Sequence, residues 1–136
     1  MKDLINKLII DQPFGIYTRN GLEYTLKDIK NKLHIYLLDF NDVKSLNEKH
    51  GYKSVNEIFK KTFSELNDKF IIGRAFSGDE IFICTTNEDA EIWAINYIEK
   101  ICSKNNLYFE HIYSIFDPFE EDIKDKFDKM IEQLHG

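Results

Sequence analysis

The chain has 136 residues, the size of one ordinary domain, and its 43% apolar and 14% aromatic content builds a core rather than a disordered segment. A formal net charge of −6 without any basic block excludes a nucleic-acid duplex or an anionic membrane as the expected partner, because such a surface repels phosphate. No apolar run approaches the roughly 18 residues of a membrane span. The charged, amphipathic start lacks a small-residue cleavage site, so the expected compartment is the cytoplasm.

Met1, Leu4, Ile5, Leu8 and Ile9 share one helical face and predict an N-terminal helix, an extension covering residues 1–12. Gln12-Pro13-Phe14-Gly15 ends it. Leu22, Leu26, Ile29 and Leu33 recur at helical spacing and predict a second helix. The nearly continuous apolar run His34-Ile-Tyr-Leu-Leu-Asp39 reads as a buried central strand. A helical stretch begins at about Asp42, breaks at Gly51, and resumes with Val55, Ile58, Phe59, Thr62 and Leu66 on one face. Residues 70–76 and 80–84 predict two strands, and Ser77-Gly78-Asp79 between them predicts a hairpin with Gly78 supplying the turn. A helix over residues 88–103 turns Ala94, Tyr97, Ile98 and Ile101 inward, and a strand over residues 107–116 follows. The last helix starts at about Phe119, with Ile123, Phe127, Met130, Ile131 and Leu134 as its apolar stripe.

This order predicts a single α+β domain over residues 1–136. Its core is the ferredoxin-like or palm βααββαβ arrangement, a central antiparallel sheet flanked by helices, with helices added at the N-terminus. Cys84 and Cys102 each stand alone in apolar surroundings and read as buried thiols rather than metal ligands. The histidines at 34, 50, 111 and 135 form no ligand pair.

In a palm sheet the first strand lies beside the central hairpin. Asp39 ends that strand, and Asp79 and Glu80 stand at the hairpin tip, so the three carboxylates are expected to converge at one sheet edge. Clustered carboxylates repel unless a cation sits among them. Magnesium is the usual answer where phosphates also bind, since it takes one or two carboxylates and leaves room for phosphate oxygens. Two such ions could activate a 3′-hydroxyl and stabilise leaving pyrophosphate. Both elements also have a plain structural reading. Ser-Gly-Asp are ordinary turn residues, and Asp39, Asn41 or Asp42 could simply cap the next helix.

Three motifs stand in order along the chain. They are Gly15-Ile-Tyr-Thr-Arg-Asn-Gly-Leu-Glu23, Leu38-Asp-Phe-Asn-Asp-Val-Lys-Ser-Leu-Asn-Glu-Lys-His-Gly51 and Ser77-Gly78-Asp79-Glu80-Ile81. They resemble, respectively, the opening Leu-Thr-Gly-Leu-x-Asn-Arg-Arg, the Asp-x-Asp-x-Phe-Lys-x-Ile-Asn-Asp-x-x-Gly and the signature Gly-Gly-Asp/Glu-Glu-Phe of the GGDEF family. The resemblance runs from Gly15 to the last helix. Active members of that family are diguanylate cyclases, which join two GTP molecules into cyclic di-GMP across a homodimer.

The resemblance implies roles position by position. Asp39 would bind both metal ions, Mg²⁺ or Mn²⁺ and two per nucleotide, with the Phe40 carbonyl helping. Asp79 would be the second metal carboxylate and Glu80 the further acid of the signature. Lys44 would meet the triphosphate, Ser77 and Gly78 would let the nucleotide approach the backbone, and Asn47 would read the base. Tyr52 stands where the family usually has histidine.

Departures from the family pattern surround these residues. Asn56 takes the place of an aspartate that reads guanine. A carboxylate accepts both donors of guanine's pairing edge, whereas asparagine offers one acceptor and one donor, which fits adenine better, so ATP joins GTP as an expected substrate. Val55 replaces a glycine. His135 falls near a phosphate-binding lysine position, and the chain ends before the corresponding arginine. Residues 68–72 lack the Arg-x-x-Asp product-inhibition motif, and with no sensory domain expected, any activity is expected to be constitutive or controlled by a protein partner. Three readings follow. The first is a metal-dependent nucleotidyl cyclase. The second is a degenerate GGDEF domain binding nucleotide or a protein partner. The third is kinship with the small polymerase-like palm enzymes of CRISPR-type defence.

Overall fold

The computed structural model describes residues 10–11, 13–75 and 79–136. Residues 1–9 of the helix expected over residues 1–12, and the turn residues Ser77 and Gly78, lie outside these. Among the described residues six strands and five helices follow in order. They are β1 (Ile10–Asp11), β2 (Ile16–Tyr17), α1 (Arg19–Leu26), β3 (Leu33–Phe40), α2 (Val43–His50), α3 (Tyr52–Leu66), β4 (Ile71–Arg74), β5 (Glu80–Thr85), α4 (Ala90–Lys104), β6 (Phe109–Phe116) and α5 (Ile123–His135).

The strands form one sheet in the order β1-β2-β4-β5-β3-β6. Every pairing is antiparallel except β2 with β4. The expected α+β class and central antiparallel sheet are therefore present. β3 lies between β5 and β6, and helices cover the sheet on both sides, which is why its run is apolar on both faces.

The two sheet faces carry separate cores. On one, Tyr36, Leu38, Phe40, Ile72, Ile81 and Ile83 pack against α3 and α4 through Val55, Phe59, Phe63, Ala94 and Ile98. On the other, Leu33, Ile35, Leu37, Phe82 and Cys84 pack against α1 and α5 through Leu22, Leu26, Phe127 and Met130. Phe82 and Phe127 stack with ring centroids 4.1 Å apart. Helix α1 reaches the sheet at Gly73, where a Cβ would stand only 2.8 Å from that of Leu22. A side chain there would push the helix off. Both cysteines are buried, as expected, and burial raises both thiols, that of Cys102 to about 12.

Several boundaries differ from expectation. Ile10 and Asp11 do not close a helix; they pair with β2, and the Gly15 N–H donates to the Asp11 carbonyl at 2.7 Å across the turn. The second helix stops at Leu26, and Leu33, although at helical spacing, opens β3. Strand β4 ends at Arg74, and Phe76, its expected last residue, lies outside the described residues. The last helix begins at Ile123. Asp117 holds a turn before it, accepting from the N–H groups of Phe119, Glu120 and Glu121, and Asp122 then caps α5 by accepting from the Asp125 N–H at 3.1 Å.

Candidate functional site

The acidic residues meet where β3 ends and β5 begins. Asp39 lies directly opposite Glu80 in the β3–β5 ladder, and the Phe40 N–H donates to the Asp79 carbonyl at 3.3 Å. One backbone register thus joins Asp39, Phe40, Asp79 and Glu80. All three carboxylate residues are half-buried. Asp39 and Glu80 share the sheet face of Leu37 and Phe82, because side chains alternate along a strand.

The Asp79 carboxyl is pushed above its ordinary value, first by burial. The charges of Asp39 and Glu80 add to this, and the Arg74 guanidinium opposes it. Like charges therefore do converge here, as the strand order predicts. The His135 imidazole, at the end of α5, makes a close Nε2 contact with Glu80 Oε1.

The edge is held from both sides by arginines the sequence reading left without a role. Arg19 of α1 is buried, ion-paired to Glu23 at 2.6 Å and to Asp128 of α5 at 2.8 Å. It donates from Nη1 to the Ala75 carbonyl at 3.2 Å, just before the acidic turn. Arg74, at the end of β4, pairs with Asp11 at 2.9 Å and lies over the Phe14 ring. A signal existed for Arg19, inside the first motif, but none for Arg74.

The remaining candidates sit on the helix pair after β3. Asp42 precedes α2 in a left-handed conformation (φ 59°) and its side chain makes no capping bond, so it does not serve as the helix cap. Lys44 stands exposed in the first turn of α2 with no carboxylate partner among the described residues. Asn47 is half-buried, and its Oδ1 is buried without a hydrogen-bond partner. Gly51 (φ 83°) turns the chain into α3, whose first residue Tyr52 is exposed and whose Asn56, one turn on, is half-buried.

Among the described residues no group of three or more His, Cys, Asp or Glu could enclose a metal ion alone. The donors that the sheet edge could offer a metal ion are Asp39, Asp79 and the Phe40 carbonyl. They are hard oxygens, too few to complete an octahedron, and leave positions for phosphate oxygens and water. That chemistry fits Mg²⁺ or Mn²⁺ in the company of a nucleotide. Cavities of about 450 Å³, lined by Asn96, Lys100, Tyr108 and Phe109, and about 460 Å³, lined by Asn31, His34, Thr86 and Glu91, contain none of these residues. The acidic edge is therefore the candidate on chemistry rather than on concavity.

No helix of the described residues is long and apolar enough to cross a membrane. No family model matches the sequence, and no curated protein matches it. Solved structures do. A microbial GGDEF domain studied for its interaction with bis-(3′,5′)-cyclic di-GMP superposes with a TM-score of 0.74 at 16% identity, covering 96% of this chain and 92% of that one. The coiled coil and GGDEF domain of DgcB from Caulobacter crescentus, in complex with c-di-GMP, gives 0.68 at 11% identity, over 96% of this chain and 78% of that one. The GGDEF domain of FimX from Pseudomonas aeruginosa gives 0.60 at 11% identity, over 91% and 90%. The chain has the fold of GGDEF domains.

Proposed function

We propose that this chain is a metal-dependent nucleotidyl cyclase, condensing two nucleoside triphosphates into a cyclic dinucleotide. The observation that carries the reading is the register of Asp39 against Glu80 with Asp79 beside them, a crowded set of carboxylates in want of a cation. Asp39, Asp79 and the Phe40 carbonyl would hold Mg²⁺ or Mn²⁺, two ions per nucleotide. When bound, the ions supply charge that favours a 3′-alkoxide and the leaving pyrophosphate. The protein's own task is then to position reactants, because phosphoryl transfer needs little else. Lys44 meets the triphosphate as an uncommitted point charge. Glu80, opposite Asp39, is the carboxylate left to orient the attacking hydroxyl.

Base selection falls to the helix pair. The orphaned Asn47 Oδ1 is an acceptor awaiting a donor from the base, since a buried oxygen left unpaired costs about 1–3 kcal/mol. Asn56 offers one acceptor and one donor, which admits adenine beside guanine. Tyr52 is exposed beside them, and Ser77 and Gly78 would border the phosphates. Each protomer would hold one nucleotide, so catalysis calls for a homodimer. Control would come from a protein partner, in the cytoplasm.

A second reading, a nucleotide-binding domain without turnover, is favoured by one contact. His135 engages Glu80, the carboxylate that catalysis needs free, and does so from a position where a phosphate-binding cation would serve better. Incubation with GTP, ATP and both, with Mg²⁺ or Mn²⁺, followed by mass spectrometry separates the two. The cyclase reading expects a cyclic dinucleotide that vanishes in Asp39→Ala and Asp79→Ala. Absence of product at high protein concentration favours the binding domain.

A further inference from the structure

Arg74 occupies an unusual position between the N-terminal hairpin and the acidic edge. It is the last residue of β4 and lies opposite Ile81 of β5, next to Glu80. The β1–β2 turn fixes its side chain. Asp11 Oδ2 accepts from Nη1 at 2.9 Å, and the Phe14 ring centroid lies 4.1 Å from Cζ. Phe14 is itself wedged against Phe59 and Phe63 of α3, at 4.9 and 5.9 Å, so the hairpin is seated on the helix that carries Tyr52 and Asn56.

Both partners of this ion pair are largely withdrawn from water, with side-chain exposures of 21% for Arg74 and 12% for Asp11. The Arg74 Nε is buried with no hydrogen-bond partner, which marks a guanidinium held where it is by the ring and the carboxylate rather than by saturation of its donors. Asp79 stands two residues before Ile81, the residue opposite Arg74, so it is the diagonal cross-strand neighbour of Arg74 on one sheet face. Asp11 and Asp79 are therefore both neighbours of one cation.

We propose that Arg74 is a positioning residue, shared between Asp11 of the N-terminal hairpin and Asp79 of the acidic edge, so that the seating of that hairpin sets how tightly the edge holds a divalent cation. The inference rests on the reading of Asp39 and Asp79 as metal carboxylates. It gives the β1–β2 hairpin an electrostatic line to the site. With Asp11 in place, much of the Arg74 charge is spent on it. With Asp11 neutralised, the full charge of Arg74 faces the edge and opposes a second cation.

The test is Mn²⁺ binding to the full chain without nucleotide, read as loss of the free-ion signal in electron paramagnetic resonance. Arg74→Gln removes a competing cation and is expected to bind Mn²⁺ about threefold more tightly, the size of a unit charge acting over several ångströms near a surface. Asp11→Asn is expected to bind about threefold more weakly, and the double variant to return near wild type. Arg74→Lys, which keeps the charge, is expected to stay near wild type. Thermal melts of each variant confirm folding. A purely structural role for the pair would loosen the edge in both single variants and weaken both, so equal signs, or no change, overturn the proposal. If wild type itself binds no Mn²⁺, the metal reading falls and the role of Arg74 falls with it; if wild type binds and the variants do not differ, only Arg74 loses its role.

Discussion

The two flanks of the acidic edge are built to different standards. On the α1–α5 flank the buried charge is satisfied. Arg19 is buried, bonded to Glu23, Asp128 and the Ala75 carbonyl, and lies close to the stacked rings of Phe82 and Phe127. On the α2–α3 flank polar groups are left waiting. Lys44 has no carboxylate partner among the described residues, the Asn47 Oδ1 has no donor, and Tyr52 and Asn56 face outward to differing degrees. Saturated bonds rigidify; unsaturated ones receive. The contrast assigns support of the acidic turn to one flank and contact with a ligand to the other.

That contrast can be broken by mutation, most severely in the support. Phe127→Ala deletes a fully buried ring stacked on Phe82 and is expected to cost about 3–5 kcal/mol of unfolding free energy in urea titration. Arg19→Met keeps the stem but strands Glu23, Asp128 and the Ala75 carbonyl. Since its partners are partly solvated, the expected loss is smaller, about 2–3 kcal/mol. By contrast Asn47→Ala, on the receiving flank, is expected to leave stability within about 0.5 kcal/mol or raise it, because it removes an unpaired buried oxygen. A large stability loss in Asn47→Ala would erase the distinction between the flanks. Asn56→Asp sharpens it from the ligand side. Restoring two acceptors is expected to shift the ratio of GTP to ATP binding toward GTP by about tenfold, measured by competition, without moving the melting temperature.

The smallest expected effect lies away from the site. Tyr36 donates to the Ala90 carbonyl, and burial, followed by the charges of Tyr113 and Glu91, pushes its pKa from 10.0 to about 12. In the unfolded chain the phenol loses its proton first. Tyr36 therefore contributes stability that is complete below pH 10 and lost as pH rises toward 12. Tyr36→Phe is expected to flatten that part of the pH–stability curve. Cys84 and Cys102, buried and raised in pKa, should resist thiol reagents at pH 8 until the chain unfolds.

The elements that the sequence announces are those whose pattern is local. The unbroken apolar run of β3 told of a strand covered on both faces, and the strand order alone told that Asp39 would meet Asp79 and Glu80, because a palm places the first strand beside the hairpin. Errors came where a local pattern ran past its element. Leu33 continues the spacing of Leu22, Leu26 and Ile29 across a loop, so the local pattern extends past the end of the helix at Leu26. Residues 119–122 look helical until the side chains of Asp117 and Asp122 organise a turn and a cap. The β1 strand, two residues long, leaves no periodicity to read. Contacts between distant residues were beyond reach. Asp11 and Arg74 are 63 positions apart and belong to no shared motif, and the meeting of His135 with Glu80 depends on where α5 ends against the sheet.

Calorimetric titration with a non-hydrolysable nucleoside triphosphate, with and without Mg²⁺, tests the central claim most directly, because it asks whether the acidic edge is a metal–nucleotide site whatever the turnover. Binding that requires Mg²⁺ and is lost in Asp39→Ala and Asp79→Ala is the predicted result. Binding that is indifferent to Mg²⁺ and to both substitutions, or no binding by the folded wild-type chain, would contradict it.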